Sequence, residues 1–150
     1  MKLLIPPPVY ALLIGLLMWF LNKNLPMAHF IDAPWNKIGV VLIVIAGSLD
    51  VWSIFLFFKK HTTPNPMKPN NTTGIVTNGL YKITRNPMYV GLLTILTGYA
   101  IWLGSLSPFL VVPIFYFLIT EMQIKPEEEI LEKKFGKEYL DYKNSVRRWL

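Results

Sequence analysis

Residues 86–120 read NPMYVGLLTILTGYAIWLGSLSPFLVVPIFYFLIT, thirty-five positions without one charged side chain. At about 1.5 Å of rise per residue a single helix of that length would measure roughly 52 Å, against about 30 Å of hydrocarbon in a bilayer. The run therefore has to fold back. Gly104-Ser105-Leu106-Ser107-Pro108 supplies the break, because glycine, serine and proline punctuate helices. The reading is a helical hairpin with arms at 87–103 and 108–122, short for a full bilayer, which stand with little tilt or thin the membrane locally.

The remaining chain is apolar on the same scale. Among 150 residues 53% are hydrophobic and 16% charged, too apolar for an ordinary soluble domain. Leu3 to Leu21 holds no charge. A signal peptide competes for this segment, but Pro6-Pro7-Pro8 interrupts the apolar core early and no small-x-small cleavage pattern follows, so a retained helix running mainly from Pro8 is expected. Ile38 to Phe58 is a second span whose single charge, Asp50, lies about 12 Å along the axis from Phe58. An ionised carboxylate at that depth needs a partner or a proton. Either it faces a polar cavity or it is a structural carboxyl bonded to a neighbouring helix.

Between these spans, Asn22 to Lys37 is a mixed loop with Trp35 placed like a headgroup-level anchor. His29 reads as an isolated loop histidine, with no acidic or histidine neighbour at ligand spacing. Lys60 to Asn78, with Pro64, Pro66 and Pro69, is expected to be irregular. From Glu121 onward the chain is charged and periodic, with apolar positions at Ile124, Leu131, Phe135, Tyr139, Tyr142, Val146 and Trp149. This predicts an amphipathic helical tail bent at Gly136, with surface pairs such as Lys125 and Glu129.

The expected fold is thus all-α and polytopic: one domain over 1–150 with four transmembrane helices at about 3–21, 38–58, 87–103 and 108–122, and a cytosolic tail over 123–150. Lys59, Lys60, Lys68, Lys82 and Arg85 lie on one side of the second and third spans, and the basic tail follows the fourth, which predicts both termini in the cytoplasm. The net charge of +6 and pI of about 9.6 fit contact with anionic headgroups of membrane lipids rather than nucleic acid. The absence of cysteine excludes disulfides, thiolate catalysis and Cys-based metal sites. No metal is expected, and oligomeric state is left open.

Chemistry concentrates in two places. Thr84-Arg85-Asn86-Pro87 has the pattern of a helix start, with Asn86 as N-cap and Pro87 in the first turn. Unpaired N–H groups there, with the guanidinium of Arg85, suit a carboxylate or phosphate. Gly79 and Gly91 allow close backbone approach. Read alone, this is equally a capped membrane helix with an interfacial arginine. Pro126-Glu127-Glu128-Glu129 either favours a helix N-terminus or holds the hydroxyls and amines of a polar cofactor.

The order of these motifs, Gly79-Leu80-Tyr81, Arg85-Asn86-Pro87-Met88-Tyr89-Val90-Gly91, a hairpin, Glu127-Glu128 with Leu131, then Phe135-Gly136-Lys137-Glu138-Tyr139 and Tyr142-x-x-x-Val146, resembles the isoprenylcysteine carboxyl methyltransferase and phospholipid methyltransferase superfamily over roughly the C-terminal half. The resemblance implies an integral membrane enzyme that transfers a methyl group from S-adenosylmethionine to a lipophilic acceptor, a prenylcysteine-type carboxylate or a lipid amine. It implies a catalytic pocket at Arg85, Asn86 and Tyr89, and a cofactor surface made by these with Gly79, Tyr81, Pro87, Gly91, Glu127 and Glu128. The chain departs from the family pattern where Leu80 replaces a proline and Asn86 a histidine; asparagine does not titrate near neutral pH. The basic residue that in the family often precedes the acidic pair by about a turn is replaced here by Gln123, with Lys125 nearby. Membrane sterol reductases, which use a nicotinamide cofactor, have similar C-terminal motifs, but the acidic pair favours the methyltransferase branch. The asparagine also leaves open a non-catalytic protein that retains the fold.

Overall fold

A computed structural model describes residues 5–59 and 74–150. Lys60, His61, Lys68 and most of the proline-rich connection lie outside the described residues. Among the described residues six α-helices carry the fold: α1 (Pro7–Asn24), α2 (Lys37–Lys59), α3 (Pro87–Leu103), α4 (Leu106–Ile119), α5 (Lys125–Phe135) and α6 (Lys137–Ser145). A 3₁₀ turn, Gly79–Lys82, precedes α3, and a π turn, Thr120–Ile124, joins α4 to α5.

The hairpin forms where the uncharged run predicts it. Pro87 sits in the first turn of α3, and Gly104, at φ 80°, takes the left-handed conformation that ends it. The second arm starts two residues earlier than expected, at Leu106, because Pro108 falls within the first turn, where its missing N–H has no intrahelical partner to lose. It also does not stop at 122. The π turn passes directly into α5, so helical backbone continues over Leu106–Phe135, 30 residues or about 45 Å. The uncharged sequence ends at Thr120, so α5 is the charged continuation of this helix.

The hairpin tip is tied to the α1–α2 loop. Gly104 O accepts from Phe30 N at 3.0 Å and Ile31 N at 3.1 Å, and Ala28 O accepts from Leu106 N at 2.9 Å. In that loop His29 does have an acidic neighbour: its Nε2 is 3.1 Å from Asp32, three residues on. Isolation along the sequence was misread because the loop turns back on itself.

The core lies between α1, α3 and α4, where Met18, Ala100, Phe115 and Ile119 are fully buried. α2 packs along another side of α3. Small residues set this second contact: a Cβ built on Gly39 would come 2.2 Å from Gly98 O, and one on Gly98 2.6 Å from Gly39 O. Close backbone approach through glycine is how helices associate where lipid gives no hydrophobic gain. The outward faces of α1 and α2 present Leu12, Leu16, Phe20, Val44, Val51 and Phe55 to the surroundings, an apolar belt that suits lipid rather than water. By length and composition, Lys37–Leu56 and Leu106–Phe135 suffice to cross a membrane; Pro87–Leu103 is apolar but shorter.

The tail is broken at Gly136, φ 52°, which separates α5 from α6. Lys125 pairs with Glu121 on the preceding turn, not with Glu129.

Candidate functional site

The site is assembled where the chain enters α3. Gly79, at φ 61°, starts the 3₁₀ turn that buries Tyr81, and Tyr142 of α6 donates its hydroxyl to Tyr81 O at 2.7 Å. The next residues receive the end of the chain. Thr84 and Arg147 form a parallel bridge, and Arg85 N donates to Arg147 O at 2.9 Å. Asn86 holds the N-cap position, but its side chain does not cap α3. Instead Asn86 Nδ2 donates to Arg148 O at 2.9 Å, beside the Thr84 hydroxyl at 3.1 Å from the same oxygen. The carbonyl ends up with two donors, and residues 146–150 lie as a strap against the α3 entrance.

The strap delivers a cation. Glu128 of α5, nearly fully buried, sits between Arg85 Nη2 at 3.0 Å and Arg148, whose Nη2 and Nε approach at 2.7 and 3.0 Å. The hydrogen bond to Glu128 is the main reason the Arg148 guanidinium holds its proton above the usual range. Arg85 Nη1 donates onward to Lys143 O at 3.1 Å, and Lys143 pairs with Glu132 at 2.9 Å. Helix start, acidic helix, α6 and strap are thereby one charged unit.

Glu127 points elsewhere. It accepts the Tyr89 hydroxyl at 2.9 Å. Burial pushes its carboxyl up to about 7, with the Tyr89 hydrogen bond pulling it down and the Glu128 charge adding to the rise. The Tyr81 hydroxyl is raised by burial and then by the charges of Glu127, Tyr142 and Asp50. Tyr139 is also raised, first by burial and then by Glu128. Asp50 reaches this region from α2: its carboxylate fills the notch left by Gly91, where a Cβ would stand 1.8 Å from Oδ1.

Of the residues the sequence singles out, the structure thus joins Arg85 to Glu128 and Tyr89 to Glu127, and seats Gly91 on Asp50. Tyr81 lies among them. Pro87 shapes the helix start, Gly79 packs on Leu56, and Asn86 is spent on the strap. Sequence reasoning missed Arg148 as a partner of Glu128, having counted it only as topological charge; its signal was an arginine beside Trp149 in an otherwise regular tail. Gln123, standing where the family often has a basic residue, is buried and donates to Ile5 O. A groove of about 220 Å³ runs alongside, between Val90, Leu93, Thr94 and Thr97 of α3, Tyr116 of α4 and the strap residues Trp149 and Leu150.

A pair of carboxylates among buried tyrosines, one holding its proton near neutrality, suits a cationic ligand rich in hydroxyls and amines. The chain is 51% identical over 63 residues to an uncharacterised protein of Haemophilus influenzae, a match that covers 42% of this chain and all of that one. It is 24% identical over 111 residues to protein-S-isoprenylcysteine O-methyltransferase A of Arabidopsis thaliana, over 74% of this chain and 56% of the plant protein. The chain therefore spans about half the plant protein's length. No solved structure matches. The profile of the phospholipid methyltransferase family matches residues 35–138, from just before α2 into α6, which takes in both halves of the site: the chain belongs to the phospholipid methyltransferase family.

Proposed function

We propose that this protein is a membrane methyltransferase that uses S-adenosylmethionine and methylates a lipophilic acceptor, with four membrane spans and both termini in the cytoplasm. The observation that carries the reading is the meeting of Tyr89, two residues into α3, with Glu127 at the start of α5, 38 residues later. It supports a pocket that the helix entrance and the acidic pair build together.

When bound, S-adenosylmethionine supplies an electrophilic methyl group on a sulfonium. The chain's task is then alignment and exclusion of water, since in-line displacement at carbon gains most from positioning. Glu127, Tyr89 and Tyr81 are the groups proposed to hold the cofactor's amino and hydroxyl groups. Arg85, Glu128 and Arg148 fix α3, α5 and the strap around them. Asn86 positions the strap and offers no imidazole, so a proton released by an acceptor has to go to a carboxylate or to solvent. A carboxylate acceptor releases none.

Product analysis after incubating the reconstituted protein with labelled S-adenosylmethionine and a lipid extract tests the reading. Arg85→Ala and Glu127→Gln are each expected to weaken cofactor binding at least tenfold in calorimetry. Unchanged binding and turnover in both would overturn it. Stabilisation by NADPH, and not by S-adenosylmethionine or its demethylated product, would point to a reductase instead.

A further inference from the structure

Asp50 is the only acid in the 23 residues of α2, and its surroundings were chosen by glycine. Any side chain at position 91 would collide with its carboxylate, so α3 carries a notch that the carboxylate occupies. A structural carboxyl between helices would show a hydrogen bond across the contact. Asp50 Oδ1 is buried, and no described side chain or backbone group donates to it. Four cations of the charged unit already have carboxylate partners: Arg85 and Arg148 are bound to Glu128, Lys143 to Glu132 and Lys125 to Glu121.

A buried carboxylate oxygen without a donor costs several kcal/mol, and a charge-assisted N–H is the partner that offsets this best. Tyr81 lies within the field of both Asp50 and Glu127. Gly91, on which the Asp50 carboxylate rests, lies two residues after Tyr89, whose hydroxyl bonds Glu127, so the two carboxylates, from α2 and α5, both pack on the start of α3. We propose that Asp50 is a ligand-binding residue whose Oδ1 accepts a hydrogen bond from an ammonium group seated between α2 and α3. The inference rests on the methyltransferase reading. That reading allows two sources of an ammonium: the amino-acid portion of the methyl donor, or an amine headgroup on the acceptor.

Calorimetry of the detergent-purified protein separates them. Wild type and Asp50→Asn are titrated with S-adenosylhomocysteine and with its analogue lacking the α-amino group, then with dodecylamine and dodecanol in mixed micelles. The substitution is isosteric and removes no hydrogen bond present in the structure, and a thermal scan reports whether it folds. Gly91→Ala provides a second variant that evicts the carboxylate while keeping its charge. Both variants are expected to bind one amine ligand at least tenfold more weakly while binding its amine-free counterpart within twofold of wild type. Loss on S-adenosylhomocysteine assigns the ammonium to the methyl donor, and loss on dodecylamine assigns it to the acceptor. If both amines keep their affinity in Asp50→Asn, or if amine and amine-free ligands weaken equally, the inference is overturned while the methyltransferase reading stands. If wild type itself binds no S-adenosylhomocysteine, both fall.

Discussion

Glu128 is held by two arginines of unequal exposure, and the difference predicts unequal consequences. Arg85 is 7% exposed at its side chain and Arg148 33%. Removing the buried partner leaves an uncompensated buried carboxylate, a loss of about 3–5 kcal/mol, whereas the half-exposed partner is replaced in part by water. Arg85→Ala is expected to destabilise the protein by about 3 kcal/mol and Arg148→Ala by about 1–2 kcal/mol, measured by equilibrium denaturation in detergent. Each is expected to couple to Glu128→Gln in a double-mutant cycle by more than about 0.5 kcal/mol; additive losses would contradict the shared site. Glu127 gives a pH dependence. Its folded carboxyl titrates at about 7 against an ordinary 4.5, so the folded state binds the proton more tightly. Between those values the folded protein carries more protons than the unfolded chain, and stability falls as pH rises through the window, levelling above it. Infrared titration of the protonated carboxyl band should show a midpoint near 7 that Glu127→Gln abolishes. Tyr89→Phe, which removes the interaction that lowers it, is expected to move the midpoint upward. The pairing of the Arg85–Tyr89 motif with Glu127-Glu128 was legible in the sequence because their order resembles the methyltransferase superfamily and the distribution of lysine and arginine puts both at one face. The partner of Asn86 was not, since it is a backbone carbonyl and leaves no mark on composition.

Among the elements, α3 was readable to the residue because proline and glycine fix both of its ends by backbone geometry. The π turn at Thr120–Ile124 was not, because no residue type signals a local widening of the helix, and it turns the expected end of a span into the bridge to the acidic helix. The α2–α3 crossing was equally hidden: Gly39 and Gly98 look like ordinary glycines in apolar helices until the helices are placed together. Substituting alanine at either forces the backbones apart. Gly39→Ala and Gly98→Ala are expected to lower stability by about 1–3 kcal/mol, the range for overpacking a tight contact. Gly47→Ala, on the same α2 with nothing within 4 Å of its added Cβ, is expected to be neutral or to stabilise by up to about 1 kcal/mol through helix propensity. Thermal scans of the three variants side by side check this, and equal losses would mean that the crossing is not where the helices are held.

For the whole molecule, the two ends of the helical bundle have different characters, and this makes the proposed topology testable. The α1–α2 loop is bound to the hairpin tip through Gly104 and Leu106, and neither Arg nor Lys occurs between Asn86 and Thr120. At the other end the α3 entrance, α5, α6 and the strap form the charged unit around Glu128. Basic residues favour the cytoplasmic side, so four crossings would expose the α1–α2 loop outside and α6 within. The chain has no cysteine, so single introduced thiols report without interference. Ala28 in the loop and Asn144 in α6 are both exposed. In intact cells a membrane-impermeant maleimide is expected to label Ala28→Cys, and to label Asn144→Cys only after the membrane is opened. Labelling of Asn144→Cys from outside would rule out an arrangement in which the cofactor reaches Glu127 from the cytosol, and failure of Ala28→Cys to label from outside would rule out four crossings. On the proposed function a lipophilic acceptor would arrive by another path, and the groove between α3, α4 and Trp149, lined mainly by apolar side chains beside the α3 entrance, suits a lipid chain.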